Sequence, residues 1–190
     1  MTAESPYFCD AAEHFIGTSA TQADPVYAGS RGSAGRIDGP RRRARFHGPR
    51  ALAYDPAAAA LYVADTGNGA LRCIDTRAGV VNTVVTLEDI CAIAHVQEFT
   101  PSGLACDGDL LALADIRNHV VWSYHLRTHR LALLAGAPGH HGDQDGPGDR
   151  ARFWLPAAVS VAADGRGFVV HEARGRRLVT RDGDVVTLPR

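Results

Sequence analysis

Apolar residues in this chain come in short bursts separated by Gly, Asp, Asn and Arg, and the bursts fall into register when the chain is laid on itself. Pro49-Arg-Ala-Leu52-Ala-Tyr54-Asp55 aligns with Pro101-Ser-Gly-Leu104-Ala-Cys106-Asp107 and with Pro156-Ala-Ala-Val159-Ser-Val161-Ala162. The steps are 52 residues from Pro49 to Pro101 and 55 from Pro101 to Pro156. Each is followed by a second apolar segment (residues 61–64, 110–114 and 168–170), a third (70–74, 120–124 and 177–180) and a fourth (80–87, 131–135 and 185–188). The segments are short, most are rich in Val, Leu, Tyr and Thr, and turn signals such as Asp164-Gly165, Asp182-Gly183 and Arg77-Ala78-Gly79 separate them, so they read as strands. No segment carries a helical stripe, and the alanine run at 57–60 is too short to nucleate a helix. The pattern predicts an all-β chain of repeating four-stranded units, with one further strand at 25–30 ahead of the first.

A second repetition lies between the units. Gly35-Arg-Ile-Asp38-Gly39-Pro40-Arg-Arg-Arg-Ala44-Arg45-Phe46 returns as Gly142-Asp-Gln-Asp145-Gly146-Pro147-Gly-Asp-Arg-Ala151-Arg152-Phe153, offset by 107 residues from Phe46 to Phe153. A fixed period marks repeat architecture. Four short antiparallel strands per repeat is the pattern of a β-propeller blade, whose small sheet buries both faces against its neighbours. A sandwich also uses many short strands, but the fixed period and the repeated phrase argue against it.

The first unit, with Asp38-Gly-Pro, Ala44-Arg-Phe46 and Leu61-Tyr-Val-Ala-Asp65-Thr-Gly-Asn68-Gly-Ala-Leu-Arg72, resembles the NHL repeat, a propeller blade motif. The second keeps Ala114-Asp115-Ile-Arg-Asn118-His119, and the third reads Val170-His171-Glu172-Ala-Arg174-Gly175, without the Asp and Asn. The resemblance covers about residues 25–188 and implies three blades, roughly 24–99 with the preceding strand, 100–141 and 142–190, after an N-terminal extension or cap at 1–23. Asp65, Asn68, Asp115 and Asn118 suit turn scaffolding, since both residue types bond nearby backbone and tolerate left-handed conformations. Asp38, Gly39, Phe46, Asp145, Gly146 and Phe153 read as structural repeat positions. Arg45 and Arg152, beside those rings, are expected to span polar groups between blades. Closed propellers use about four to eight blades, so three imply a piece of a longer propeller, a homodimer completing the ring, or a capped end; the first is favoured.

Composition narrows the function without naming it. A formal net charge of −1, 45% hydrophobic and 22% charged residues advertise neither nucleic acid nor membrane. All 20 basic residues are Arg, which fits codon bias better than function. Cys9, Cys73, Cys91 and Cys106 have no metal-ligand spacing and read as free thiols. No leader or spanning segment is evident, so a cytoplasmic location is expected.

The loops joining second to third strands, and blade to blade, emerge on one face of a propeller. That face is expected to carry the partner-binding residues Arg41, Arg42, Arg43, Arg50, Asn68, Asn118, His119, His140 and His141, with Arg174 nearby. No nucleophile or nucleotide motif is present, and no metal, cofactor or catalytic residue is assigned. The expected function is a non-catalytic NHL scaffold binding a protein or other macromolecular partner. RNA binding through the Arg41–Arg50 cluster, as in some NHL propellers, is one alternative. A metal-dependent propeller lyase or hydrolase using histidines is the other.

Overall fold

The computed structural model describes residues 6–20 and 24–189. It divides into two compact units, Met1–Val85 and Thr86–Arg190.

The first unit holds two antiparallel sheets. β1 (Tyr7–Asp10), β2 (Phe15–Thr18) and β3 (Val26–Gly29) form one in the order β1-β2-β3. The strand expected at 25–30 is therefore not isolated, and the described part of the expected extension is sheet; residues 1–5 and 21–23 of that extension lie outside the described residues. Its burst Tyr7-Phe-Cys-Asp10 is short enough to escape a period search. The second sheet holds β4 (Gly39–Pro40), β5 (Ala51–Asp55), β6 (Ala60–Asp65), β7 (Ala70–Asp75) and β8 (Val80–Val85), in the order β4-β8-β7-β6-β5. β6 is buried along its whole length, which is why it reads as a continuous apolar run rather than an alternating one. Between the two sheets lie Ile16 and Ala28 from one, Leu61, Val63, Ile74 and Val81 from the other, and Ala44 and Phe46 from the connector.

The second unit opens with a helix, α1 (Leu87–Ala94), in a stretch the apolar pattern assigns partly to a strand. Thr86 and Asp89 explain it: the Asp89 carboxylate accepts from the Thr86 amide at 2.8 Å and Thr86 caps the Asp89 amide, so the two close the helix N-terminus reciprocally. Two four-stranded meanders follow. The first is β9 (Pro101–Asp107), β10 (Leu110–Asp115), β11 (Val120–His125) and β12 (Arg130–Ala135); the second is β13 (Ala158–Val161), β14 (Gly167–Glu172), β15 (Gly175–Thr180) and β16 (Val185–Thr187). Ala105, Ala114, Val121 and Ala135 meet Val159, Phe168, Val170 and Val179 between them, with Ala151 and Phe153 inserted from the connector.

The repeated Ala-Arg-Phe thus has one structural meaning in both units. The alanine and the ring are fully buried between consecutive sheets, where an aromatic side chain contributes the largest apolar area. The arginine between them points outward and donates to carbonyls of its own connector, Arg45 to Arg43 and Ala44, Arg152 to Asp149 and Ala151. These two arginines do not span polar groups between sheets as expected, because the alternation that buries residues 44 and 46 turns residue 45 away.

In the second unit β9 and β13 approach each other closely at Gly103. A Cβ on Gly103 would lie 2.7 Å from the Ala158 Cα and the Val159 amide nitrogen, both backbone atoms. The nearby Ser102 hydroxyl donates to the Pro156 carbonyl at 2.9 Å. Gly103→Ala is expected to destabilise the chain by about 1–3 kcal/mol, since backbone must move to admit the methyl; chemical denaturation measures it.

Candidate functional site

The Asp of the repeated Asp-Gly-Pro does more than turn the chain. Asp38 accepts from the amide and hydroxyl of Thr83 at 2.9 and 3.1 Å, and pairs with the guanidinium of Arg72. Arg72 is fully buried. Its Nη1 donates to Asp65 at 2.7 Å and to the Arg45 carbonyl at 3.1 Å, its Nη2 to the Ile37 carbonyl at 3.0 Å, and the Phe46 ring lies under it at 5.1 Å.

The second unit repeats the node part for part. Asp145 accepts from the Thr187 amide and hydroxyl at 2.9 and 3.0 Å and pairs with buried Arg177, which donates to the carbonyls of Arg152 and Gln144 over the ring of Phe153. Glu172 stands in for Asp65, 3.3 Å from Arg177 Nη1. The hairpin it closes is shorter, pairing Glu172 with Gly175 where Asp65 pairs with Ala70, and the longer side chain restores the reach. In both nodes the carboxylate also accepts the first amide after the buried Phe, His47 at 2.7 Å and Trp154 at 2.6 Å.

The sheet at 101–135 comes after a connector without the phrase, and it has neither the phrase Asp nor the arginine. Seven residues after Asp115 stands Trp122, whose Nε1 donates to Asp115 at 3.2 Å. Asn118 donates to Asp115 and to the Glu98 carbonyl, as Asn68 donates to Asp65 and to the Gly35 carbonyl, all at 2.7–2.8 Å. Sequence reasoning missed Arg72, Arg177 and Glu172; the signal was an Arg or Trp recurring at one place on the third strand.

Charge is set by this wiring. Burial acts to raise Asp38 and Asp145, but their threonine and arginine partners outweigh it and hold both below the ordinary carboxylate range. Burial pushes Asp65 and Asp115 up, against the donors that surround them. Burial also raises the thiols of Cys9 to about 12 and Cys73 to about 11, leaving them unreactive near neutrality.

The residues expected to bind a partner fall into distinct settings. In the first unit, Arg41 stacks on Tyr27 at 4.5 Å and Arg42 pairs with Asp24 at 2.9 Å, while Arg43 is exposed. Arg50 rims an open depression of about 290 Å³ with His14 and His47. In the second unit, His140 donates through Nδ1 to the Pro138 carbonyl, and His119 accepts at Nδ1 from the Leu155 amide at 3.2 Å. Burial and then His141 lower His119, with Asp115 opposing. His141 meets the rings of His119 at 5.4 Å and Trp154 at 4.2 Å, both near-perpendicular. Arg174 covers the Trp154 ring at 4.2 Å and pairs with Asp143 at 3.1 Å. The structure therefore brings His119, His141, Trp154 and Arg174 together and gives Asn68 and Asn118 to turn scaffolding. Among the described residues, no three His, Cys, Asp or Glu side chains gather as metal ligands, and no helix is long and apolar enough to cross a membrane.

Comparison with solved structures places the architecture. A protein of unknown function from Bacteroides thetaiotaomicron aligns over 94% of this chain and 42% of its own (TM-score 0.64, 16% identity). Virginiamycin B lyase from Staphylococcus aureus aligns over 97% and 51% (0.61, 13%), and an auxiliary nutrient binding protein from Bacteroides ovatus over 76% and 36% (0.58, 18%). The fold is that of a β-propeller protein. The chain spans roughly a third to a half of these proteins' lengths. No family model and no curated protein sequence matches it.

The arginine nodes are open to test by substitution and by pH. Arg72→Met or Arg177→Met leaves buried carboxylate unpaired and is expected to cost about 3–5 kcal/mol, whereas Arg45→Gln or Arg152→Gln, whose side chains point outward, costs about 0.5 kcal/mol or less; urea unfolding separates the pairs. Since the folded Asp38 and Asp145 titrate below their unfolded value of about 3.9, their stabilisation is complete above that pH and is lost as pH falls through the folded values. The double variant Asp38→Asn, Asp145→Asn is expected to be less stable at neutral pH and to lose less stability than the parent below about pH 4, read from denaturation curves at several pH values.

Proposed function

We propose that the chain supplies blades of an NHL-type propeller whose loop face is a non-catalytic docking surface for a macromolecular partner. The observation that carries this reading is the patch of His141, Trp154 and Arg174 in the second unit. An indole with a guanidinium on its face is the kind of anchor that dominates binding energy at protein interfaces. Arg174 holds Asp143 through an exposed pair, and such pairs are weak enough to exchange for an acidic group of a partner.

Two further observations favour docking over chemistry. Asp65, Asp115 and Glu172, the carboxylates that end the second strands, are engaged by backbone amides and by Arg72, Trp122 or Arg177, an arrangement that suits holding a connector better than transferring a proton. His119 accepts a backbone N–H at Nδ1, so its neutral ring carries the proton on Nε2, which is then a donor rather than a metal ligand. The RNA alternative is weakened by the engagement of Arg41 and Arg42 with Tyr27 and Asp24. The NHL likeness itself rests on the Asp-x-x-Asn turns and the repeated Asp-Gly-Pro and Ala-Arg-Phe.

Trp154→Ala with Arg174→Ala is expected to weaken partner capture by about tenfold or more at unchanged circular dichroism and melting temperature. Affinity purification coupled to quantitative mass spectrometry reads it. An unchanged set of captured proteins, or tight binding of single-stranded RNA that falls steeply with salt, counts against the assignment, as does stoichiometric metal in the purified protein.

A further inference from the structure

We propose that the depression framed by His14, His47 and Arg50 in the first unit is a binding site for an oxyanion, a phosphate or carboxylate group. It lies apart from the docking patch in both residues and chemistry, so either assignment stands if the other fails.

His14 closes the β1–β2 hairpin at φ 61°, in the left-handed region that favours glycine, and His119 closes the β10–β11 hairpin at φ 59°. The corresponding hairpins of the other two sheets end in Gly69 and Gly175, both at positive φ. Histidine is among the side chains that adopt this region most readily, as His95 and His129 also do in this chain, so the turn fixes where the His14 ring stands.

The ring is also fixed chemically. The Gly48 amide donates to His14 Nδ1 at 3.1 Å, as the Leu155 amide does to His119. A ring nitrogen that accepts an N–H carries no proton, so the neutral His14 ring bears its proton on Nε2. Such a nitrogen donates to an acceptor oxygen and has no lone pair for a metal ion, which favours an anion over a cation.

The surroundings agree with that sign. His47 meets His14 edge-on at 5.3 Å. It is backed by Gly67, where a Cβ would come within 2.7 Å of the imidazole, and whose amide donates to the His47 carbonyl at 2.8 Å. Arg50 is exposed and lines the same depression, as does Thr66. The lining offers imidazoles and a guanidinium, with no carboxylate among the described residues that form it. Asp65, at the end of β6, is already engaged by the His47 amide, Asn68 and Arg72, and Asp10 and Glu13 of the His14 hairpin are bound to each other through the Glu13 amide and do not line the depression. A guanidinium beside a fixed N–H donor matches the oxygens of phosphate or carboxylate, and the volume of about 290 Å³ admits one such group with water.

The test is a titration of the full chain, labelled with 15N in its histidine rings, with inorganic phosphate and separately with acetate at constant ionic strength set by chloride. Nitrogen-detected ring correlations are expected to show His14 with its proton on Nε2 and to shift saturably at His14 and His47. Arg50→Gln is expected to weaken binding about tenfold. His14→Asn, which keeps a residue that tolerates the left-handed backbone, is expected to weaken it similarly with the melting temperature retained. Saturation by phosphate alone assigns a phosphate group, by acetate alone a carboxylate, and by both the shared oxyanion chemistry; each supports the site. Absence of saturable shifts with either anion overturns it. Shifts equal in Arg50→Gln and the parent, or zinc binding at His14 Nε2 with loss of its proton, overturn it too.

Discussion

A buried guanidinium between two carboxylates is the interaction on which each unit's architecture depends. Arg72 and Arg177 each tie three segments far apart in sequence: the connector carrying Asp38 or Asp145, the end of a second strand carrying Asp65 or Glu172, and the carbonyl beside a buried Phe. A cation withdrawn from water costs several kcal/mol unless its donors are matched. Here carbonyls and carboxylates do the matching and a ring face covers it. Among the described residues, the one buried side-chain nitrogen or oxygen left without a partner is Arg72 Nε, whereas the same atom of Arg177 reaches Asp145 at 3.0 Å.

The node also explains why the repeat has two periods. Strand sets recur every fifty-odd residues, but the Asp-Gly-Pro phrase returns only at 107, because the node occurs once in each two-sheet unit. The intervening connector carries α1 instead of the phrase, and the sheet after it uses Trp122 as the donor to Asp115. An indole N–H satisfies one carboxylate without introducing a buried charge that lacks a second anion. Connector and third strand therefore vary together: an acidic phrase goes with Arg, and its absence with Trp.

Exposure, rather than residue type, sorts the candidate surfaces. The arginine run that looks most basic in the sequence is partly spent on Tyr27 and Asp24. The second unit places an aromatic and cationic patch at His141, Trp154 and Arg174. The first unit lines the depression at His14 and Arg50 with donors and no carboxylate among the described residues. Both settings grow from the same hairpin position and the same connector, and they differ in the residue next after the buried Phe, His47 in one and Trp154 in the other.

Much of the fold is legible in local pattern. The apolar bursts from 49 onward, their turns and the Ala-x-Phe plug are short-range signals, since strand burial and turn chemistry are written in adjacent residues. The strands at 7–10 and 15–18 and the helix at 87–94 escape that pattern, the first because Tyr7-Phe-Cys-Asp10 is a brief burst without a repeat partner in view, the last because its cap is a Thr–Asp pair amid a run that also suits a strand. The sequence alone determined the strand grammar, the repeat and the all-β class. Only the tertiary structure decided which arginines are buried and which point outward, because Arg45 and Arg72 are chemically identical and differ in what surrounds them. Three of the four partners that hold Arg72 come from residues 27 to 35 positions away in the chain, a distance over which local periodicity carries no information.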